Sequence, residues 1–124
     1  MLWTPRNWLT LAAVLGFVSV AAGAFGAHGV ADPQAKAWLQ TGAQYGLVHV
    51  LATFACAAVM PLGASRARYA SGLFLPGAVI FSGSLYAMAL GGPRWFGAIT
   101  PIGGGLLLAG WLVLAWSLRR LGHD

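Results

Sequence analysis

Four long apolar runs, separated by short polar breaks, account for most of the chain. The first extends from Trp8 to Ala27 without a charge. A membrane span needs about 20 mostly apolar residues, so this run is long enough. Ala31-Asp-Pro-Gln34 interrupts it, because proline lacks the amide a helix interior needs. The second run covers about Ala35 to Pro61. Its first turns are mixed (Gln34, Lys36, Gln40, Gln44) and are expected at the interface, with an apolar core from Tyr45 to Met60. Pro61 to Arg68 forms a polar break with two arginines. The third run is Tyr69 to Leu90, and Gly91-Gly-Pro-Arg94 reads as a loop. The fourth, Ala98 to Leu118, stops at Arg119-Arg120.

The spans expected are therefore 8–27, 44–61, 69–90 and 98–118, within a single membrane domain over residues 1–124. Short connections make sequential helices antiparallel. A bilayer admits only helices or closed barrels, and these runs are too long and continuous for barrel strands of about 10 residues. The fold class predicted is all-α: an integral membrane four-helix bundle with antiparallel up-down topology. The first run also resembles a signal peptide, with small residues at Ala22-Gly-Ala24. Its full span length favours a retained helix.

Composition excludes the soluble alternatives. Apolar residues make up 59% of the 124 and charged residues 7%, against roughly 25% charged in an ordinary soluble domain. Seven basic and two acidic side chains cannot keep the surface of so small a domain in water. Cys56 is the single cysteine, which excludes a disulfide scaffold. The net charge of +5 is not a nucleic-acid patch, because each basic residue sits at a break between apolar runs. With four spans, Arg6, Arg66, Arg68, Arg119 and Arg120 share one side, while Lys36 and Arg94 lie on the other. The positive-inside rule puts both termini in the cytoplasm and the protein, multi-pass, in a bacterial cytoplasmic (inner) membrane. Trp3, Trp8 and Trp116 fall at the expected inner interface, and Trp38, Trp95 and Phe96 at the outer one.

Helices in lipid associate through close packing and interhelical hydrogen bonds. Small residues recur at the needed spacing: Ala12 with Gly16, Ala22 with Gly26, Gly42 with Gly46, then Gly103-Gly104-Gly105 and Ala109-Gly110. Gly16, Gly23, Gly26, Gly42, Gly46, Gly103 and Gly104 are the packing positions expected, serving the bundle itself rather than a dimer. Gly23-x-x-Gly26-x-x-Gly29 lacks the spacing and the preceding strand of a dinucleotide fingerprint.

No Asp, Glu, Lys or Arg lies in the core of any span, which disfavours a proton-coupled exporter relying on an intramembrane carboxylate. Trp38, Gly42, Tyr45 and His49 share one helical face. Threading the helices antiparallel places His28, Tyr45, His49, Ser82, Tyr86 and Thr100 in the outer half of the bundle, as one polar cluster. The main expectation is a structural hydrogen-bond network. The alternatives are a haem held by His28 and His49, another small ligand, or a path through an oligomeric channel or transporter. A metal site has only two convincing ligands. Ser82 or Ser84 with His49 lacks the carboxylate of a hydrolase triad.

Several motifs resemble a known family. Gly23-Ala-Phe-Gly-Ala-His-Gly29 is similar to the signature of domain-of-unknown-function family 423, which includes a transmembrane protein 256 branch. Trp38 with Tyr45 and His49, Phe81-Ser-Gly-Ser-Leu-Tyr86, and Ile99-Thr-Pro-Ile-Gly-Gly104 followed by Trp111 extend the resemblance along nearly the whole chain. It implies four helices in a bacterial cytoplasmic membrane and supplies no activity or catalytic residue. The function expected is a non-enzymatic accessory or scaffold protein, without a cofactor or metal. Its partners would be the lipid bilayer, a larger membrane complex or a homo-oligomer, and not nucleic acid.

Overall fold

The computed structural model describes residues 3–122, so the two residues at each end of the expected 1–124 domain lie outside the description. The described residues form four helices long and apolar enough to cross a membrane, with no strand among them. They are α1 (Pro5–His28), α2 (Pro33–Val59), α3 (Ala67–Ala89) and α4 (Thr100–Leu118). Short 3-10 turns at Met60–Leu62 and Arg94–Ala98 lead into the connections on either side of α3.

Local chemistry sets the helix starts. Thr4 caps α1, its hydroxyl accepting from the Asn7 amide at 3.3 Å, and Pro5 opens the helix. Asp32 and Pro33 repeat the arrangement on α2, with the Asp32 carboxylate accepting from the Ala35 amide at 2.9 Å. A side-chain acceptor before a first-turn proline satisfies one exposed N–H and removes another. The same pair starts α2 at Pro33, close to the expected start of the second run at Ala35. Gln40 and Gln44 lie within this helix. The α2–α3 connection turns at Gly63, whose φ of 118° is a left-handed conformation favouring glycine. Pro76 sits inside α3 on its exposed face.

The four helices do not form a square. The main packing runs α1 on α2, α2 on α3 and α3 on α4, with only light α1–α3 and α2–α4 contact. On α2, Leu39, Ala43 and Val50 are nearest Gly26, Gly23 and Gly16 of α1. Tyr45 and His49 lie on the side towards α4. At 3.6 residues per turn these two sets are about 120° apart, with the α3-facing Gly42 between them. The α2–α3 pair is therefore the spine, and α1 and α4 flank it on opposite sides. Burial follows: eleven residues of α3 and ten of α2 are buried, against four of α1 and five of α4.

The core fills the spine and its inner end, with Trp8, Phe74, Cys56 and Ala70 enclosed. Trp8 corrects an expectation. It is 1% exposed and packs inside the bundle, so it is no interfacial anchor. Trp3 stacks on it at 6.4 Å between ring centroids and donates to the Ser71 hydroxyl at 3.2 Å, tying the chain start to α3. Trp116 is exposed at the same end, and Trp95 is exposed at the other.

Glycines set the closest approaches. A Cβ on Gly103 would lie 2.5 Å from the Phe81 nitrogen and 2.8 Å from the Gly77 carbonyl, both backbone atoms of α3. On Gly110 it would meet the Phe74 ring at 2.6 Å. Gly104 is looser, its nearest neighbour being the Phe81 ring at 3.7 Å, and Gly105 faces open space.

Three expectations are testable. Gly103→Ala should destabilise the bundle in detergent by about 1–3 kcal/mol, because backbone must shift to admit the methyl. Gly83→Ala, where nothing lies within 4 Å, should be neutral or gain up to about 1 kcal/mol from helix propensity. Thermal unfolding of the two variants checks the contrast. A reporter fused to the C-terminus should read cytoplasmic, and a periplasmic reading would reverse the orientation expected from the arginines.

Candidate functional site

The expected polar cluster resolves into three separate sets of contacts, and one of its members joins none of them. The first set lies on the spine. Ser82 of α3 donates to the Gly42 carbonyl of α2 at 2.7 Å, using a lone pair that the helix hydrogen bond leaves available. Tyr86 of α3 donates to the Ser19 hydroxyl of α1 at 3.2 Å. Gly42 is bare because a Cβ there would come 2.5 Å from the Tyr86 ring, and Gly46 leaves room for the Ser19 hydroxyl. Ser19 and Ser82 are fully buried. The glycine pair thus admits polar side chains from two other helices.

The second set pairs Ser84 with Thr100, their hydroxyls 2.5 Å apart, where α3 meets the start of α4. Ser84 also contacts the Phe81 carbonyl at 2.9 Å.

The third set centres on His49, which is 4% exposed. Its Nδ1 lies 2.7 Å from the Tyr45 carbonyl, and the Trp111 indole N–H lies 3.0 Å from its Nε2. A carbonyl only accepts and an indole only donates, so the partners assign the tautomer: Nδ1 carries the proton and Nε2 accepts. Phe74 closes the group, with ring centroids 5.5 Å from His49 and 5.1 Å from Trp111. The bare Gly110 admits the Phe74 ring. Tyr45 stacks on His49 at 6.3 Å between ring centroids and tilts against Phe81 at 5.0 Å.

His28 is the outlier. It is exposed at the end of α1 and makes no hydrogen bond among the described residues. His49 lies about 24 Å along α2 from its start, at mid-depth rather than in the outer half. The two histidines do not fit one haem iron: they are at different depths, and both nitrogens of His49 are already engaged. No three metal-ligating side chains converge among the described residues. Ser82 and Ser84 hydrogen-bond elsewhere, so neither is paired with His49 as a nucleophile.

Beside the His49 set lies an open groove of about 610 Å³ between α2 and α4, with Phe81 of α3 in its wall. Its walls include Val48, Phe81, Leu108 and Gly105, and Gln44 and Tyr45 stand at its edge. The Gln44 amide and the Tyr45 hydroxyl have no hydrogen-bond partner among the described residues. Gln44 lies about 17 Å along a helix about 40 Å long. A second groove of about 420 Å³, between α1 and α3, is lined by apolar side chains such as Leu11, Val14, Leu75 and Val79.

Ser19 and Trp111 were not among the expected cluster. Ser19 is a single hydroxyl in an apolar run, and its only sequence signal is the small-residue spacing of Gly42 and Gly46 opposite it. Trp111 lies mid-span, where tryptophan marks no interface, and that position is the signal that it has an internal partner.

Replacing Trp111 by Phe should keep the ring contact and orphan His49 Nε2, destabilising the bundle by about 1–3 kcal/mol. His49→Leu with Trp111→Phe should cost less than the sum of the single variants, because no polar atom is then left alone. Thermal unfolding of the four proteins gives the coupling, and strict additivity would show that the bond contributes nothing.

Comparison with known proteins agrees with this architecture. Residues 22–104 match the family described as protein of unknown function (DUF423). The chain is 44% identical to the UPF0382 inner membrane protein YgdD of Escherichia coli (strain K12), over 96% of each chain. It is 42% identical to a UPF0382 membrane protein of Haemophilus influenzae, over 90% of this chain and 93% of the relative. It is 39% identical to the UPF0382 membrane protein SH2409 of Staphylococcus haemolyticus, over 90% of this chain and 94% of the relative. No solved structure matches. The motifs from Gly23 to Trp111 and these end-to-end identities lead to one statement: the chain belongs to the DUF423 family, a family of bacterial inner-membrane proteins whose activity is uncharacterised.

Proposed function

We propose that the protein is a non-enzymatic accessory protein that docks a transmembrane helix of a partner membrane protein against α2 and the α2–α4 groove. The observation that carries this reading is Gln44: a polar side chain deep in the span, exposed, and without a hydrogen-bond partner among the described residues. Hydrocarbon offers it no hydrogen bond, and leaving an amide unsatisfied there costs several kcal/mol. A lipid tail suits the wholly apolar α1–α3 groove but cannot satisfy Gln44. A helix with a polar side chain at the same depth can.

The surrounding surface supports the same occupant. Ala37, Thr41, Gln44 and Val48 are exposed along one stripe of α2. Gly105 on the facing wall has nothing within 4 Å of where a Cβ would be, so a second backbone can approach closely. The groove follows α2 only from Gln44 to His49, about one and a half turns. It therefore receives side chains of a partner helix rather than the whole helix.

A photo-crosslinker placed at Leu108 in native membranes tests this. One discrete adduct with a protein other than this chain is expected, and Gln44→Leu should lower its yield roughly three- to twentyfold, the range of one interhelical hydrogen bond. A crosslinker at Phe17, exposed on α1, should give no such adduct. An adduct at twice 12.9 kDa would replace the partner by a second copy of the chain. Lipid adducts alone, or a yield indifferent to Gln44, would overturn the proposal.

A further inference from the structure

The end of the bundle opposite the Gln34–Lys36 turn carries a second kind of cavity. The α2–α3 connection and the residues after α4 enclose about 270 Å³, lined by Met60, Pro61, Gly63, Ser65, Arg66 and Arg120. Unlike the two lateral grooves, it presents two guanidinium groups and a hydroxyl. The Ser65 hydroxyl has no hydrogen-bond partner among the described residues. The only carboxylate side chain among them is Asp32, which caps α2 at the other end of the molecule. Two cations thus line one cavity, with no acid of the described chain to neutralise them.

Arg66 is held in place. Its guanidinium carbon stands 4.3 Å from the centroid of the Trp116 ring. Stacking uses the face of the guanidinium and leaves its N–H donors free at the edge. Those donors form the planar fork that matches a phosphate bidentately. A pre-positioned arginine also loses less freedom when it binds.

The surroundings fix the depth. Trp116 is 49% exposed, and its amphipathic ring marks the membrane interface. Leu62 is also exposed beside the cavity. Apolar groups flanking two arginines at an interface describe the level at which phospholipid phosphates lie. By the positive-inside rule this is the cytoplasmic leaflet, where basic pockets between helices hold anionic headgroups.

We infer that this cavity is a binding site for the phosphodiester headgroup of an anionic phospholipid, held by Arg66 and Arg120 with Ser65 as an additional donor. The lipid's chains then run down the apolar outer surface of α4, where Leu112 is exposed one turn from Trp116. The site is independent of the α2–α4 groove.

Native mass spectrometry of the full-length protein in neutral detergent tests the inference, with phosphatidylglycerol and phosphatidylcholine at equal concentration. The expected result is one retained phosphatidylglycerol per chain. Arg120→Gln, at an exposed position, should weaken it about fivefold, and Arg66→Gln with Arg120→Gln about twenty-five-fold, from the interaction of each basic residue with an anionic surface. Arg6→Gln with Arg119→Gln removes the same charge from the same end but not from the cavity, and should leave retention unchanged. Equal losses in the two double variants would show general charge attraction and overturn the site. No preference for phosphatidylglycerol in the unmodified protein would also overturn it. Complete displacement by millimolar inorganic phosphate would identify a free-anion site instead of a lipid site. Thermal unfolding midpoints of the double variants should stay together, so that lost binding is not lost fold.

Discussion

The hydrogen bond from Ser82 to the Gly42 carbonyl fixes the distance between α2 and α3, and the rest of the bundle is arranged around that distance. Beside that bond Gly42 has no side chain, and its bare position accepts the Tyr86 ring. Tyr86 then reaches past α2 to Ser19, so α1 is held by a residue that α3 supplies. On the opposite flank α4 is held by Phe74 at Gly110 and by Trp111 at His49. Each outer helix is thus attached by close packing at a glycine together with a neutral hydrogen bond. In lipid these are the forces that remain once exclusion of water no longer distinguishes one apolar surface from another.

Satisfaction of polar groups separates structure from candidate function. The buried side-chain nitrogen and oxygen atoms of the described residues all have partners. His49, the residue whose chemistry is richest, is saturated on both ring nitrogens. Side chains without a hydrogen-bond partner among the described residues lie at the surface, among them His28, Gln44, Tyr45 and Ser65. The two proposed sites differ in kind: the first offers a neutral amide and hydroxyl on α2, and the second offers positive charge at one end of the bundle.

The broad architecture was legible because hydrophobic length and helix breakers carry it. Asp32-Pro33 and the glycine-proline turn at 91–93 mark breaks by local chemistry that needs no tertiary context, whereas the Thr4-Pro5 start of α1 lay ahead of the apolar run read from Trp8. The start of α2 was read close to its place, at Ala35, because Asp32-Pro33 breaks the apolar pattern there even though the first turns are mixed. Position along a span could be read, but the direction in which a side chain points depends on which helices are neighbours. That is why Trp8, at the right depth for an interface, is enclosed in the core, and why His28 stands apart from the cluster that its depth suggested. Ser19 was invisible because one hydroxyl in an apolar run gains meaning only from the glycines opposite it.

The order of packing around the spine also bears on how the protein assembles. Every extensive interface joins helices that are consecutive in the chain, and α1 and α4 share no substantial contact. Local connectivity of this kind keeps the entropic cost of closing each contact low and favours fast folding. During synthesis, α1 and α2 can pair as a hairpin before α3 is made. Its arrival supplies Ser82 and Tyr86 to both of them at once. The last helix then docks on a surface already complete, so no segment has to wait in the membrane for a distant partner.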